Sequence, residues 1–433
     1  MRVLFVSPPG VSHLAVMVPL AHALRTAGHE VRVASHPELA GHTVGTGLPA
    51  VVVGEPADQW AWLRSCAGNE TIDRMVDPLW LQTEDEHLHT WIRNYLLMPF
   101  CHYFLDEQPG TDRRPLLDDL VDFAVRWRPD LVIWDSLSFH GAVAARVCGA
   151  AHARILWGLD KLGWVRSMLL ARQAGTDAAG PEGSRDPLAE AMRPVLRRFG
   201  IEFSEELVTG QWTLDTMPPR MRLPVDLDYV AMRRIPYNGA AELPAWLDAP
   251  PGRPRVCLTL GVSAGRSSES GDTFVADLFG AVDGMPLELI ATVNDSQLAD
   301  VPHVPANVRT IDYLPLNVLL PSCSAVVHHG GGGTLAAAVA HRVPQLIAPT
   351  EPGDYSDIAR FVADRGAGLT ARRGADTSER LRALLGRLLD EPSFQAGADA
   401  LHRDSLQVPH PGDVVVQLER RTAQQHEGAR CVS

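Results

Sequence analysis

A run of glycines between an apolar and an alanine-rich segment constrains the fold of this chain more than any other feature. Residues 325–327 are apolar, residues 328–334 are two histidines, four glycines and a threonine, and residues 335–340 contain four alanines. This order predicts a strand, a tight loop and the start of a helix. The unpaired N–H groups and the dipole of such a helix start favour an anion, most simply a phosphate. A glycine-rich turn with two structural histidines is the alternative interpretation.

Length, composition and charge restrict the class of protein. The chain has 433 residues, of which 45% are hydrophobic and 21% charged, which predicts a globular protein of roughly two or three domains. Its formal net charge of -13 argues against nucleic acid as a partner, since nucleic-acid binders usually present a basic face. The sequence contains no apolar run of about 18 residues, so no membrane-spanning helix is expected.

The cysteines and histidines indicate neither disulfides nor a metal site. The six cysteines are scattered and form no C-x-x-C pair, and the first residues do not resemble an export signal. Reduced thiols and a cytoplasmic location are therefore expected. The histidines do not follow a metal-ligand spacing, so we expect no metal or other cofactor.

The first half of the chain alternates strands and helices. Residues 3–7 predict a strand, residues 14–27 a helix that contains Pro19, and residues 31–35 the next strand, which together form one right-handed parallel βαβ unit. A second unit begins with a strand over residues 131–135 that ends on Asp135, followed by a helix of small residues over 141–148.

The second half repeats the alternation after a proline-rich stretch. Predicted strands cover residues 255–260, 287–293, 308–313, 325–328 and 345–348. The expected fold is α/β, with two facing Rossmann-like domains whose parallel sheets carry helices on both faces. The predicted boundaries are residues 1–236 for the N-terminal acceptor-binding domain, 237–254 for a linker, 255–410 for the C-terminal nucleotide-sugar-binding domain, and 411–433 for a helix that crosses back to the first domain and ends in a tail disordered from Thr422.

All ten tryptophans lie at or before Trp246. This asymmetry predicts an apolar cavity in the N-terminal half, although aromatic residues at helical spacing are more often core. The candidate lining residues of an acceptor pocket are Trp62, Trp80, Trp91, Trp134 and Phe139.

The pattern resembles the inverting glycosyltransferases of the GT-B fold, and more narrowly the GT1-type actinomycete enzymes that attach TDP-deoxysugars to antibiotic aglycones. The segments that carry the resemblance are residues 1–9 with His13 and Pro19, residues 221–229, 236–239, 326–349 and 364–369. The segments 221–229 and 236–239 are typical of the macrolide and anthracycline subgroup, which often works with a cytochrome-P450-like activator protein.

The resemblance assigns catalytic roles to two residues of the first domain. His13 matches the general base that takes the proton of the acceptor hydroxyl, and an imidazole suits that task near neutral pH. Asp135 matches the carboxylate that orients this histidine. The alternative interpretations are a packing or helix-capping histidine and an aspartate that caps the following helix.

The resemblance also implies a donor site in the second domain. His329 matches the histidine on the α-phosphate, and Gly333 and Thr334 match the groups on the β-phosphate. The residues implied around the nucleotide and its diphosphate are Gly261, Ser263, Tyr313, Leu314, His329, Gly332, Gly333 and Thr334. Tyr313 falls where the family stacks an aromatic ring on the base, and a core tyrosine is the alternative.

The donor-sugar position departs from the family pattern. The family usually carries an aspartate followed by a glutamine there, whereas this chain has Asp354 and Tyr355. A ring in place of an amide disfavours glucose and indicates a deoxygenated, less polar sugar.

The sequence therefore predicts an inverting, metal-independent transferase of the hexosyltransferase type. It would move a deoxysugar from TDP to a hydroxyl, or to a carbon, of a hydrophobic polyketide or macrolide-type aglycone in natural-product biosynthesis. Expected partners are the TDP-deoxysugar, the aglycone, a P450-like activator and a second copy of the chain. The alternatives are a nucleotide-sugar epimerase and a catalytically silent homologue that activates a partner transferase.

Overall fold

The computed structural model describes residues 1–56, 103–104, 114–175, 186–261, 273–350 and 354–432. The chain divides into two compact units. The first unit contains residues 1–233 together with 409–433, and the second contains residues 234–408.

Each unit contains a parallel sheet. The strands are β1 (Arg2–Val6), β2 (Glu30–Ser35), β3 (Ala50–Val52), β4 (Leu131–Asp135), β5 (Ala151–Ile155), β6 (Trp212–Asp215) and β7 (Tyr229–Ala231) in the first unit, and β8 (Arg255–Thr259), β9 (Glu288–Thr292), β10 (Val308–Ile311), β11 (Ala325–His328), β12 (Gln345–Ile347) and β13 (Gly368–Thr370) in the second. The strand orders are β3-β2-β1-β4-β5-β6-β7 and β10-β9-β8-β11-β12-β13. Neighbouring strands pair in parallel, as the predicted α/β class requires.

Helices connect the strands. In the first unit they are α1 (Val11–Thr26), α2 (Pro37–Gly45), α3 (Pro115–Trp127), α4 (His140–Cys148), α5 (Lys161–Gly175), α6 (Pro187–Arg198) and α7 (Glu206–Thr209); in the second they are α8 (Phe274–Val282), α9 (Asp295–Leu298), α10 (Leu316–Leu319), α11 (Gly332–Ala340), α12 (Tyr355–Asp364), α13 (Ser378–Asp390) and α14 (Pro392–Leu406); α15 (Pro411–Val432) returns to the first. Within the described ranges, no helix has the length and apolar character needed to cross a membrane.

The second sheet is covered on both faces. Along β8, Val256 and Leu258 pack in one hydrophobic cluster with the helices α8 and α13. Cys257, which points to the opposite face, packs in another cluster with α10 and α11. A parallel strand buried on both faces needs apolar residues at successive positions, which is why these strands were recognisable in the sequence.

The predicted strands and helices are confirmed, with ends that differ by at most three residues. Pro19 lies inside α1, which continues through it. Five of the described strands were missed. The strands β3, β7 and β13 have only three residues each, and polar residues interrupt the apolar pattern of β5 and β6. In β5 the buried Arg154 is paired with Asp160 and with the hydroxyl of Thr213, so its charge has a partner inside the fold.

The predicted linker does not form a separate segment. The structure places residues 237–254 within the second unit. Trp246 explains why, since its ring packs under the guanidinium groups of Arg255 and Arg309, with 5.1 and 4.9 Å to the ring centroid. Such cation–π contacts hold the stretch against β8 and β10.

The C-terminal helix packs on the first unit. Within α15, Arg421 forms an ion pair with Asp228, and His426 Nε2 lies 3.2 Å from the carbonyl oxygen of Asp130. The helix continues to Val432, so the prediction of a disordered tail from Thr422 is wrong. Asp228 and Asp130 are distant in sequence from α15, so the sequence from Thr422 onward resembles a polar tail although it forms a helix.

Replacing Leu418 on α15 tests this packing. Leu418 is completely buried, so Leu418→Ala should lower the free energy of unfolding of the first unit by about 2–5 kcal/mol. Urea denaturation followed by tryptophan fluorescence measures this, because nine of the ten tryptophans lie at or before Trp212. The control is Val416→Ala on the same helix, where Val416 is 46% exposed and an effect within about 0.5 kcal/mol is expected. Equal effects of the two substitutions would contradict the packing.

Candidate active site

A histidine and an aspartate meet at the carboxyl ends of two neighbouring strands in the first unit. His13 Nδ1 lies 2.9 Å from Asp135 Oδ2. His13 belongs to the first turn of α1, and not to the preceding loop as predicted. Since β1 and β4 pair in parallel, with Val6 opposite Trp134, the residues that follow both strands emerge at the same edge of the sheet.

The hydrogen-bond partners of Asp135 determine the state of the histidine ring. Asp135 Oδ1 accepts a hydrogen bond of 2.9 Å from the backbone N–H of Leu137. An ionised carboxylate only accepts hydrogen bonds, so Nδ1 of His13 carries the proton. Nε2 of a neutral ring is then left as the acceptor, which is the arrangement of a general base. Asp135 does not cap α4, whose N-cap residue is Phe139.

Gly10 and Trp157 restrict the position of the His13 ring. A methyl group at Gly10 would lie 2.8 Å from His13 Cδ2, so a side chain larger than hydrogen would displace the ring. On another side, the Trp157 ring has its centroid 4.9 Å from that of His13. No local pattern indicated Trp157, because it follows β5, a strand that was not recognised.

Tyr103 is another aromatic residue near the site. Its side chain is buried, and its ring centroid lies 4.2 Å from that of His140. Burial, and after it the negative charge of Asp135, raises the pKa of Tyr103. The phenol is therefore neutral near this carboxylate.

Two of the residues predicted to line the acceptor pocket belong to the hydrophobic core. Trp134 and Phe139 are 0% and 1% exposed and pack in one core cluster. The structure therefore gives no support to the predicted pocket role of these two, which stays a prediction. The strand β4 turns Trp134 inward, where its indole N–H donates to His152 Nδ1 at 3.3 Å. The other three candidates, Trp62, Trp80 and Trp91, lie outside the described residues.

In the second unit, the two adjacent histidines after β11 have different surroundings. His328 Nε2 lies 3.0 Å from Gln345 Oε1, and its Nδ1 accepts a hydrogen bond from the N–H of Gly330 at 3.1 Å. Both ring nitrogens are thus occupied, and burial lowers the pKa of His328 to about 4. His328 is a neutral residue that shapes the loop.

His329 lies between glycines at the start of α11. A methyl group at Gly261 would lie 2.7 Å from His329 Cε1, and one at Gly331 would lie 2.7 Å from His329 Nε2. The ring is 6% exposed, and its Nδ1 has no hydrogen-bond partner within the described part of the chain. Burial, with smaller contributions from His328 and Arg373, lowers the pKa of His329 to about 3.

The helix α11 begins with unpaired backbone donors. Its N-cap residue, Gly331, offers no side chain, and the first backbone hydrogen bond runs from Leu335 N–H to the Gly331 carbonyl oxygen at 2.9 Å. Among the described residues, the N–H groups of residues 332–334 have no acceptor. Gly333 is exposed and Thr334 is buried. The structure thus brings His329, Gly332, Gly333 and Thr334 together in an arrangement suited to an anion.

The remaining predicted donor residues lie at the ends of neighbouring elements of this unit. Tyr313 is 47% exposed, and its hydroxyl donates to the carbonyl oxygen of Asn238, which excludes the core alternative. Leu314 is buried, as is Asp354, the N-cap residue of α12. The Tyr355 ring contacts His329 edge-on, with centroids 5.1 Å apart. Ser263 lies outside the described residues.

Comparison with protein families identifies relatives over most of the chain. The description "Erythromycin biosynthesis protein CIII-like, N-terminal domain" matches residues 22–261, and the corresponding C-terminal domain matches residues 275–420. The chain is 43% identical over 439 residues to the aclacinomycin-T 2-deoxy-L-fucose transferase of Streptomyces galilaeus. The alignment covers 99% of this chain and 98% of that protein. It is 41% identical to the 10-deoxymethynolide desosaminyltransferase of Streptomyces venezuelae, with 98% of each covered.

Solved structures have the same fold. The spinosyn forosaminyltransferase SpnP has a TM-score of 0.81 and 41% identity, and the match covers 98% of this chain and 99% of that one. The glycosyltransferase VinC in complex with dTDP also has a TM-score of 0.81, with 36% identity over 98% of this chain and 100% of that one. The two-sheet α/β fold implied by the sequence resemblance is confirmed.

The protonation state of His329 gives a prediction. Its pKa lies near 3, below the ordinary 6.5, so the ring should stay neutral from about pH 7.5 to about pH 5. In NMR spectra of protein labelled at histidine Cε1, its resonance should keep a constant chemical shift over this range. A His329→Gln variant assigns the peak.

The lowered pKa of His329 also makes the free energy of unfolding depend on pH. The unfolded chain takes up a proton near pH 6.5 and the folded one does not, so His329 makes the fold less stable as the pH falls from about 6.5 toward 3. A titration midpoint above about pH 5 in the NMR series would contradict the burial of the ring.

Proposed function

The chain belongs to the erythromycin biosynthesis protein CIII-like family, and from this membership we propose that it is a glycosyltransferase that moves a deoxysugar from TDP to a hydroxyl of a hydrophobic polyketide-type aglycone. The observation that carries the proposal is the 2.9 Å hydrogen bond between His13 and Asp135, because glycosyl transfer to a hydroxyl needs a base. Relatives with this overall fold are named as transferases of deoxysugars or aminosugars.

The proposed reaction is a single displacement at the anomeric carbon. His13 Nε2 takes the proton of the acceptor hydroxyl as the oxygen attacks C1 of the sugar. A C1–O bond forms to the acceptor while the C1–O bond to the diphosphate breaks, and TDP leaves with the bonding electron pair. Attack from the face opposite the diphosphate inverts the anomeric centre. Asp135 holds the ring and stabilises the imidazolium that forms.

The donor side of the proposal rests on the start of α11. The free N–H groups of residues 332–334 and the positive end of the helix dipole would stabilise the charge that develops on the leaving diphosphate. These groups support binding of TDP without a metal ion. Because its ring is neutral, His329 would donate one hydrogen bond to the α-phosphate rather than a full charge. Tyr313, with its exposed ring, would stack on the base.

The donor sugar is proposed to lie near Asp354 and Tyr355. Asp354 offers carboxylate oxygens to sugar hydroxyls, while the half-buried Tyr355 ring beside His329 offers an apolar surface. A ring accommodates a carbon that lacks a hydroxyl, but it leaves the hydroxyl of a fully oxygenated sugar without a partner. This supports a deoxysugar as the donor.

We also propose a cellular location and protein partners for this chain. Cys148, Cys257 and Cys323 are free thiols, which supports a reducing, cytoplasmic location. We propose a P450-like activator protein and a homodimer from the subgroup resemblance alone. The paired His13 and Asp135 favour a working transferase over a silent partner protein, since a silent copy has no use for an oriented base.

Removing the base tests the acid–base part of this proposal. His13→Ala should lower kcat/KM for transfer by about 10²–10⁴-fold, and Asp135→Asn should lower it similarly, because an amide can reverse the ring tautomer. The measurement is aglycone-dependent release of TDP from a TDP-deoxysugar. The control is the Kd for TDP by calorimetry, which should stay unchanged in both variants. Full transfer activity in His13→Ala would refute the assignment.

Restoring an amide at position 355 tests the donor preference. Tyr355→Gln should raise the ratio of kcat/KM for TDP-glucose to that for a TDP-deoxysugar by about 10-fold or more, since the amide can bond a hydroxyl that the ring cannot. Competition between the two donors for one acceptor, analysed by mass spectrometry, gives the ratio. Tyr355→Phe is the matched control and should leave the preference unchanged. If Tyr355→Gln shows no change in the ratio, residue 355 does not select the sugar.

A further inference from the structure

The proposed donor site has a deficit of positive charge. A nucleoside diphosphate carries several negative charges, and breaking the bond to the sugar adds to the charge that the protein must stabilise. His329 contributes no charge, because its buried ring is neutral. The start of α11 provides about half an elementary charge. A cationic side chain close to residues 332–334 would correct the deficit.

Arg234 is placed to be this cation. Its Nη2 lies 3.9 Å from the position that a methyl group on Gly333 would take, so the guanidinium is adjacent to the first turn of α11. Gly333 is exposed, so a ligand can reach the helix start beside the guanidinium. Arg234 keeps its proton at neutral pH, since burial lowers its pKa only to about 10 and Asp354 opposes that shift.

The backbone that follows Arg234 is anchored to the nucleotide-binding unit. The side-chain amide of Asn317 donates to the carbonyl oxygen of Pro236 at 2.8 Å, and its backbone N–H donates to Asn238 Oδ1 at 3.1 Å. The Tyr313 hydroxyl donates to the carbonyl oxygen of Asn238. These bonds fix residues 236–238 against the start of α10, so Arg234 enters the site from a fixed backbone.

One further observation, on His329, points to a ligand at this place. Its ring is 94% buried and lies against Gly331 at the N-cap, and its Nδ1 has no partner within the described ranges. Arg373, whose charge lowers the pKa of His329, packs its guanidinium over the Phe274 ring at 5.0 Å. Arg234 instead lies next to the N-terminus of α11, where the backbone N–H groups of residues 332–334 have no acceptor among the described residues.

We propose that Arg234, whose guanidinium lies beside the N-terminus of α11, binds the diphosphate of the nucleotide-sugar donor. This inference rests on the proposed function and adds a residue to its donor site. A guanidinium offers paired N–H donors that match phosphate oxygens.

Calorimetric titration with TDP tests the role of Arg234. Arg234→Gln should raise the Kd for TDP by about 10- to 100-fold, the range expected when a charge-assisted hydrogen bond to phosphate is lost. The Kd for TDP of Arg234→Lys should lie between those of the wild-type protein and Arg234→Gln, since lysine keeps the charge but not the paired donors. Arg380→Gln removes an exposed arginine on α13 and should leave the Kd unchanged.

Binding of thymidine, followed by ligand-detected NMR, distinguishes phosphate recognition from a structural role. Thymidine lacks the diphosphate, so its affinity should be the same in the wild-type protein and in Arg234→Gln. An equal loss for thymidine and TDP, or an unchanged Kd for TDP, would overturn the inference. If Arg234→Gln does not fold, Arg234→Lys with the same ligand pair decides between the two roles. Failure of the wild-type protein to bind TDP would instead refute the proposed function.

Discussion

The hydrogen bond between His13 and Asp135 forms because the carboxyl ends of neighbouring parallel strands lie at the same edge of a sheet. The strands β1 and β4 are neighbours and run in the same direction, so the helix start after β1 and the last residue of β4 reach one edge of the sheet. The side chain of Asp135 is only 2% exposed, and such a carboxylate is stable there because both of its oxygens accept hydrogen bonds. One of these bonds fixes the tautomer of His13. The base in our proposal is therefore a product of the sheet topology.

A buried ionic network supports the same edge of the first sheet. Asp160, after β5, is paired with Arg154 and accepts a 2.6 Å hydrogen bond from the Tyr229 hydroxyl. It also accepts a bond of 2.8 Å from the N–H of Gly163. These bonds hold the loop that carries Trp157, and Trp157 in turn contacts the His13 ring. Partner groups for each buried charge make this polar cluster tolerable inside the unit.

In the second unit, the shape of the anion site depends on glycines, which have no side chain to fill the space around the His329 ring. The His329 ring occupies space that methyl groups at Gly261 and Gly331 would fill, and a methyl group at Gly330 would lie 2.9 Å from the carbonyl oxygen of Tyr355. Gly330 also has a φ of 101°, a conformation that favours glycine. Close packing excludes water from the ring and keeps it neutral. The charge that opposes the diphosphate must then come from the helix start and, in our inference, from Arg234.

Features that depend on local pattern could be predicted from the amino-acid sequence alone. Apolar runs and glycines identified β1, β4, β8 and β11, the alternation that gives two α/β units, and the start of α11, because a buried parallel strand needs continuous apolar residues. Resemblance to a family singled out His13 and Asp135. Features that depend on partners distant in the chain became visible only in the folded protein. Folding paired His13 with Asp135 across 122 positions of sequence, buried Trp134 and Phe139 in the core, ordered α15 through Asp228 and Asp130, and brought Arg234 to Gly333. Side chains acquire these neighbours only when the strands assemble, so no local pattern could predict them.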